Sequence, residues 1–322
     1  MNDIRTYQVE TYAVFLNVDE SILKLNGFIE PLGFRFVCYK YEELEETFAS
    51  FFGVRTDVLD ANFDVSNEFW QATLRHPSLK FELMLDRKAI MLQKIQGYTL
   101  EVIDRRVNDT EGNHHLSASQ SFTNNLLPQL RLSKNEWIDV GEHFQMAQRE
   151  TGHRHMRANI TGLPSLPGAS DRKFSLTDEE AKSFQHGFVD DFQPNRLTKL
   201  AFDSYILTYI IPDAATKYVT LMTCLESLFN LGRDQITHTV SRHLSLIVSA
   251  DRHAFQKNYD RIKKLYAHRS AIVHGTGIKQ DIDSLCDELK TLVRQAINYC
   301  LQRDIGKDEL FSELNAKGFS SE

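Results

Sequence analysis

The chain has little cysteine, no long apolar run and no excess of positive charge. Its four cysteines, Cys38, Cys224, Cys286 and Cys300, are scattered, and no two form a Cys-x-x-Cys pair. That pattern argues against a zinc ribbon or a disulfide framework and fits a reducing, cytoplasmic setting. No run of about 18 apolar residues occurs, so no membrane span is expected. The opening Met1-Asn2-Asp3-Ile4-Arg5 lacks the basic-then-apolar order of a secretion signal. A net charge of −7 and a pI near 6.0 exclude a surface that coats nucleic acid as a polycation. Any contact with RNA must therefore be a local patch. Neither a phosphate-binding glycine loop nor a nucleophile elbow is found, and no cofactor is expected.

What is present divides into two parts. With 42% hydrophobic and 25% charged residues over 322 positions, the chain can build one large core or two ordinary ones. The first part, residues 1–160, has mixed signals. Residues 34–41 alternate bulky and polar side chains at period two, as a half-buried strand does. Residues 79–85 alternate likewise, and residues 98–103 form a third candidate strand. Residues 41–52 predict a helix, Trp70 a core position, and Met84 and Met91 packing positions. The expected fold class is α+β: an α+β domain with an antiparallel sheet, followed by an all-α domain.

Residues 161–174 contain a Gly-, Pro- and Ser-rich stretch and predict a linker. Thr177-Asp178-Glu179-Glu180 then matches a capping box. Nearly everything from 175 to 305 predicts helix, with spans near 212–230, 235–250, 252–274 and 281–303. Tyr218, Leu221, Met222, Leu225, Leu228 and Phe229 recur at helical spacing and form one apolar stripe. Leu231-Gly232 supplies a stop for that helix. Gly275 follows the third helix, where glycine favours the left-handed cap conformation. Residues 306–322 have weak periodicity and are expected to form a flexible tail.

Two side chains near the end of the third helix carry chemistry. Cleavage of RNA by its own 2′-OH needs proton transfer at two oxygens and positive charge on the phosphoryl group. His274 carries an imidazole, a group that can serve as base or acid. Arg269 can hold a phosphate through a forked pair of charged hydrogen bonds. Their five-residue spacing sets them about 140° apart on an ideal helix, so one continuous helix does not aim both at one phosphate. Termination at Gly275 eases this, and a two-fold dimer would ease it further. Arg252, Lys257, Arg261, Lys263, Lys264 and Arg269 place six cations within 18 residues, against Asp260 alone. Tyr259 and Tyr266 are interleaved among them, positioned to stack on bases. The same charge run also reads as the solvated face of a helix. His114-His115 and His153-Arg154-His155 lack a carboxylate or cysteine at ligand spacing, so no metal site is expected.

Leu265-Tyr266-x-x-Arg269-Ser270-x-Ile272-Val273-His274-Gly275 follows Leu221-x-x-x-Leu225-Glu226-Ser227-Leu228-Phe229 by about 40 residues. Together the two segments resemble the HEPN superfamily, in particular its Apea-like branch. The resemblance covers residues 175–305, and Leu130-Arg131-Leu132-Ser133-Lys134 resembles a stretch that tends to precede the helical domain. It implies a HEPN-like helical bundle that forms a homodimer and a metal-independent endoribonuclease acting in antiviral defence or as a toxin. It also implies Arg269 and His274 as the catalytic pair at the dimer interface, with Glu226 at an acidic position beside them. Ser270 stands where active members often carry Asn, Asp or His, and keeps a hydrogen-bond donor. Thr276 stands where members paired with a nucleotidyltransferase antitoxin carry tyrosine. Arg261, Lys263, Lys264 and Tyr266 are the expected RNA contacts, and the first domain is expected to bind an unidentified trigger. The alternative is a non-catalytic helical module that binds RNA, a nucleotide or a protein. In that case Arg269 would hold a structural carboxylate and His274 would cap a helix C-terminus.

Overall fold

The computed structural model describes residues 4–43, 77–103, 106–107, 110–149, 154–159, 172–230, 235–276 and 280–317. It divides into two compact units, with the boundary between Asp190 and Asp191. The first is built on an antiparallel sheet and the second is helical among its described residues, an α+β architecture as expected. No helix among the described residues is long and apolar enough to cross a membrane.

The sheet of the first unit is formed by β1 (Ile4–Leu16), β2 (Phe34–Lys40), β3 (Lys88–Ile103), β4 (Arg106–Val107), β5 (Asp139–Arg149) and β6 (Arg154–Asn159). Its order is β2-β3-β1-β5-β6, with β4 paired to β3. Both faces of its centre are covered. Phe15, Phe34, Phe36, Ile90 and Leu92 pack on one face with Leu126 and Leu130 of α2 (Thr110–Ser133). Tyr12, Val14, Met91 and Phe144 pack on the other with Leu79 of α1 (Pro77–Asp86).

Two of the expected strands form: residues 34–40 are β2, and residues 98–103 are the end of the longer β3. The third, at 79–85, is helix α1 instead. Pro77 opens that helix, and Leu79–Leu85 contains no β-branched residue, only good helix formers and Phe81. Its inward face includes Ser78, Leu79 and Glu82, which follow helical spacing, while Leu85 is exposed. Helix is described over residues 41–43; the rest of the expected 41–52 helix, and Trp70, lie outside the described residues. Met91 is buried as expected, 1% exposed.

The expected boundary at 161–174 also differs from the observed one. Residues 160–171 lie outside the described residues, but α3 (Asp178–Gly187) belongs to the first unit. Thr177 and Glu180 form the expected capping box at its start. Ala181 and Phe184 of α3 join the core that contains Phe15 and Phe36.

The second unit comprises α4 (Lys199–Leu207), α5 (Ala214–Phe229), α6 (Ile236–Val248), α7 (Arg252–Val273), α8 (Ile282–Leu301) and α9 (Lys307–Ala316). The α5 stripe of Tyr218, Leu221, Met222, Leu225, Leu228 and Phe229 is fully buried, and α5 packs against α4, α6, α7 and α8. Burial of each such side chain is worth roughly 2 kcal/mol, which makes α5 the spine of this unit. Leu231 and Gly232 lie outside the described residues. The tail expected beyond 306 is helical over α9. Leu310, Phe311 and Leu314 are buried, and Lys307 and Lys317 donate to the carbonyls of Asn230 and Leu246. Three apolar residues within little more than one turn are too few to declare a helix by periodicity.

Candidate functional site

Helix α7 carries the candidate residues, and both of its ends are chemically defined. At its start, the Asp251 carboxylate accepts from the backbone N–H of Ala254 at 2.7 Å. At its end, Gly275 adopts φ +67°. Its N–H donates to the Ile272 carbonyl at 3.2 Å, and that of Thr276 donates to the Ala271 carbonyl at 3.0 Å. These two bonds form a Schellman closure, with His274 as the C-cap residue. A side chain at position 275 would meet nothing, so the requirement for glycine there comes from the backbone alone.

The inner face of α7 meets α5. The Tyr218 hydroxyl donates to the Leu265 carbonyl at 2.7 Å, a buried bond that ties the two helices together. The next residue, Tyr266, and Arg269 one turn further along α7 reach Glu226 of α5. The Tyr266 hydroxyl donates to Glu226 Oε1 at 2.5 Å. The Arg269 Nη2 atom lies 3.6 Å from the same oxygen, an ion pair too long to be a hydrogen bond. Its guanidinium also lies 5.9 Å from the Tyr266 ring centre, at the outer edge of cation–π range. The Arg269 Nε–H is buried and has no hydrogen-bond partner among the described residues. Burial first, then the hydrogen bond and charge of Glu226, pushes the Tyr266 phenol up to about 12. It therefore remains a protonated donor at neutral pH.

Arg269, Glu226 and Tyr266 are thus brought together. His274 is exposed at the helix end, and among the described residues its side chain makes no hydrogen bond or ion pair, with Arg269 or any other group. Ser270 is exposed, and its carbonyl accepts the His274 N–H at 3.0 Å. Lys263 and Lys264 are exposed. Arg261 is engaged elsewhere: Nε bonds Glu288 Oε1 at 2.7 Å, and Nη2 bonds Glu288 Oε2. This fork joins α7 to α8. The sequence makes Arg261 an expected RNA contact, and its engagement was not legible there because Glu288 lies on another helix. Tyr259, also a candidate for base stacking, bonds His238 Nδ1 through its hydroxyl at 2.8 Å.

Elsewhere, Leu130 and Arg131 lie near the end of α2. The buried Arg131 donates through Nε and Nη2 to the Ile138 carbonyl and pairs with Asp139 at 2.9 Å, which makes this segment part of the packing of the first unit. His114 is exposed on α2, and the His115 ring lies against Tyr98. His153 lies outside the described residues. Among the described residues, no three His, Cys, Asp or Glu side chains converge as a metal site would require.

No family model, curated protein or solved structure matches this chain.

Proposed function

We propose that the helical unit is a metal-independent endoribonuclease of HEPN type, with Arg269 holding the reacting phosphate and His274 transferring protons. The observation that carries this reading is the contrast between two arginines on one helix. The guanidinium of Arg261 is clamped by both oxygens of a carboxylate, whereas that of Arg269, with its side chain 31% exposed, makes only a long ion pair among the described residues. A cation that retains hydrogen-bonding capacity is suited to take up a phosphate. His274, five residues on and open to solvent, supplies an imidazole that can act as acid or base.

Attack by the 2′-OH on the neighbouring phosphorus forms a 2′,3′-cyclic phosphate and releases a 5′-hydroxyl. In this reading Arg269 stabilises the charge that grows on the phosphoryl oxygens. His274 takes the proton from the 2′-OH or gives one to the leaving 5′-oxygen, and a second copy of the chain provides the other imidazole. The exposed end of α7, with Val273 at 51% exposure beside His274, supports self-association there. Lys263 and Lys264, both exposed, offer cations to the RNA backbone, and the exposed Ser270 offers a hydroxyl. The first unit, on this reading, senses a trigger in a defence or toxin system.

A second reading has an observation of its own. Glu226 does lie beside Arg269, as in a non-catalytic module where the arginine serves a structural carboxylate. A long, partly exposed pair of this kind contributes at most about 1 kcal/mol. Inducing the wild type and the Arg269→Ala/His274→Ala variant in cells separates the two. Growth arrest and RNA fragmentation with the wild type alone, at equal protein stability, support the nuclease. Intact RNA and equal growth with both support the binding module.

A further inference from the structure

We infer that Tyr266 is a positioning residue that keeps the Arg269 guanidinium out of a close ion pair with Glu226. Two donors converge on one carboxylate oxygen, and the phenol is the closer, at 2.5 Å against 3.6 Å for Nη2. A short O–H···O⁻ bond draws on the same charge that would otherwise pull the guanidinium into contact. Tyr266 and Arg269 are three residues apart on α7, hence neighbours on its surface, so the ring also sits beside the cation it holds back. Protonation of the phenol at all physiological pH values keeps the device set. The result is an arginine held at 3.6 Å from an acid rather than in hydrogen-bonded contact with it, with its Nε–H unpartnered among the described residues. This assigns Tyr266 a task other than stacking on a base, and it rests on the reading of Arg269 as the phosphate-binding group.

Tyr266→Phe tests it, because phenylalanine keeps the stacking surface and removes only the hydroxyl. Glu226 is then free to take Arg269 directly. Binding of a fluorescein-labelled 2′-O-methyl RNA oligomer, which cannot be cleaved, should weaken about tenfold, the scale of one charge-assisted hydrogen bond. The Arg269 Nε–H resonance should shift at the same time, and adding Glu226→Gln to Tyr266→Phe should restore wild-type affinity. Unchanged affinity with an unmoved resonance overturns the inference, as does a double variant that stays as weak as Tyr266→Phe. If Tyr266→Phe does not fold, Glu226→Gln alone decides: binding at least as tight as wild type supports the assignment, and weaker binding refutes it. If the wild type does not bind the oligomer at all, the phosphate reading of Arg269 fails. The resonance shift then still decides whether Tyr266 positions the guanidinium.

Discussion

Arg261 and Arg269 are two turns apart on α7, so intrinsic chemistry cannot tell them apart; their partners do. Arg261 faces Glu288 in a fork, both side chains about a third exposed at 36% and 35%. Solvent screening limits such a pair to about 1 kcal/mol. Arg261→Ala should therefore lower stability by that amount, read by urea unfolding, and leave the salt dependence of RNA binding unchanged. Lys263→Ala should leave stability within about 0.5 kcal/mol of wild type. It should also reduce the slope of log affinity against log salt by about 0.7, the value for one phosphate contact on a single strand. A reduced slope in Arg261→Ala would return that residue to the RNA-facing stripe. The sequence supports candidate residues of the right chemical types, but assigning their roles requires the acids that cross from α5 and α8.

Among the elements, strands were harder to read than helices, for a physical reason. Strand β1 is buried on both faces from Thr11 to Leu16, so alternation disappears where the strand matters most. Strand β5 hides Glu142, His143 and Gln145 in the interior, each with a partner: the Ser78 N–H, the Thr123 hydroxyl and the Gly112 carbonyl. Such a strand looks like a polar loop in sequence. Helix α2 likewise replaces apolar stripe positions with Ser119 and Thr123, and Thr123 meets His143 at 3.0 Å. Helices α5 to α8 of the second unit were legible because the α5 stripe recurs at helical spacing and a glycine follows the α7 C-cap, whereas α9 was not.

The link between α2 and β5 makes stability depend on pH. Burial lowers His143 from 6.5 to about 4, so the folded state resists its protonation while the unfolded chain does not. The neutral-imidazole contribution is fully present above about pH 6.5 and is lost as pH falls towards 4, a change of about 3 kcal/mol. Between pH 7 and pH 4, unfolding of the wild type should lose about that much more free energy than unfolding of His143→Gln. Equal losses in the two proteins would show that the imidazole is not held neutral.

Across the whole molecule, the α+β class was legible in the sequence, while the boundary between units was not. The composition break at 161–174 suggested a linker, yet α3 follows it and contributes Phe184 to the first core, so the contact boundary falls at Asp190. Composition reports where a chain lacks periodicity, and packing decides where a unit ends. The net charge of −7 confines any RNA contact to a patch. The central claim is chemical, so the products test it most directly. Purified protein should be incubated with RNA in excess EDTA and the new ends identified by mass spectrometry. The expected result is 2′,3′-cyclic phosphate and 5′-hydroxyl ends, absent with Arg269→Ala/His274→Ala; cleavage that requires added Mg²⁺, or that leaves 5′-phosphates, would contradict it.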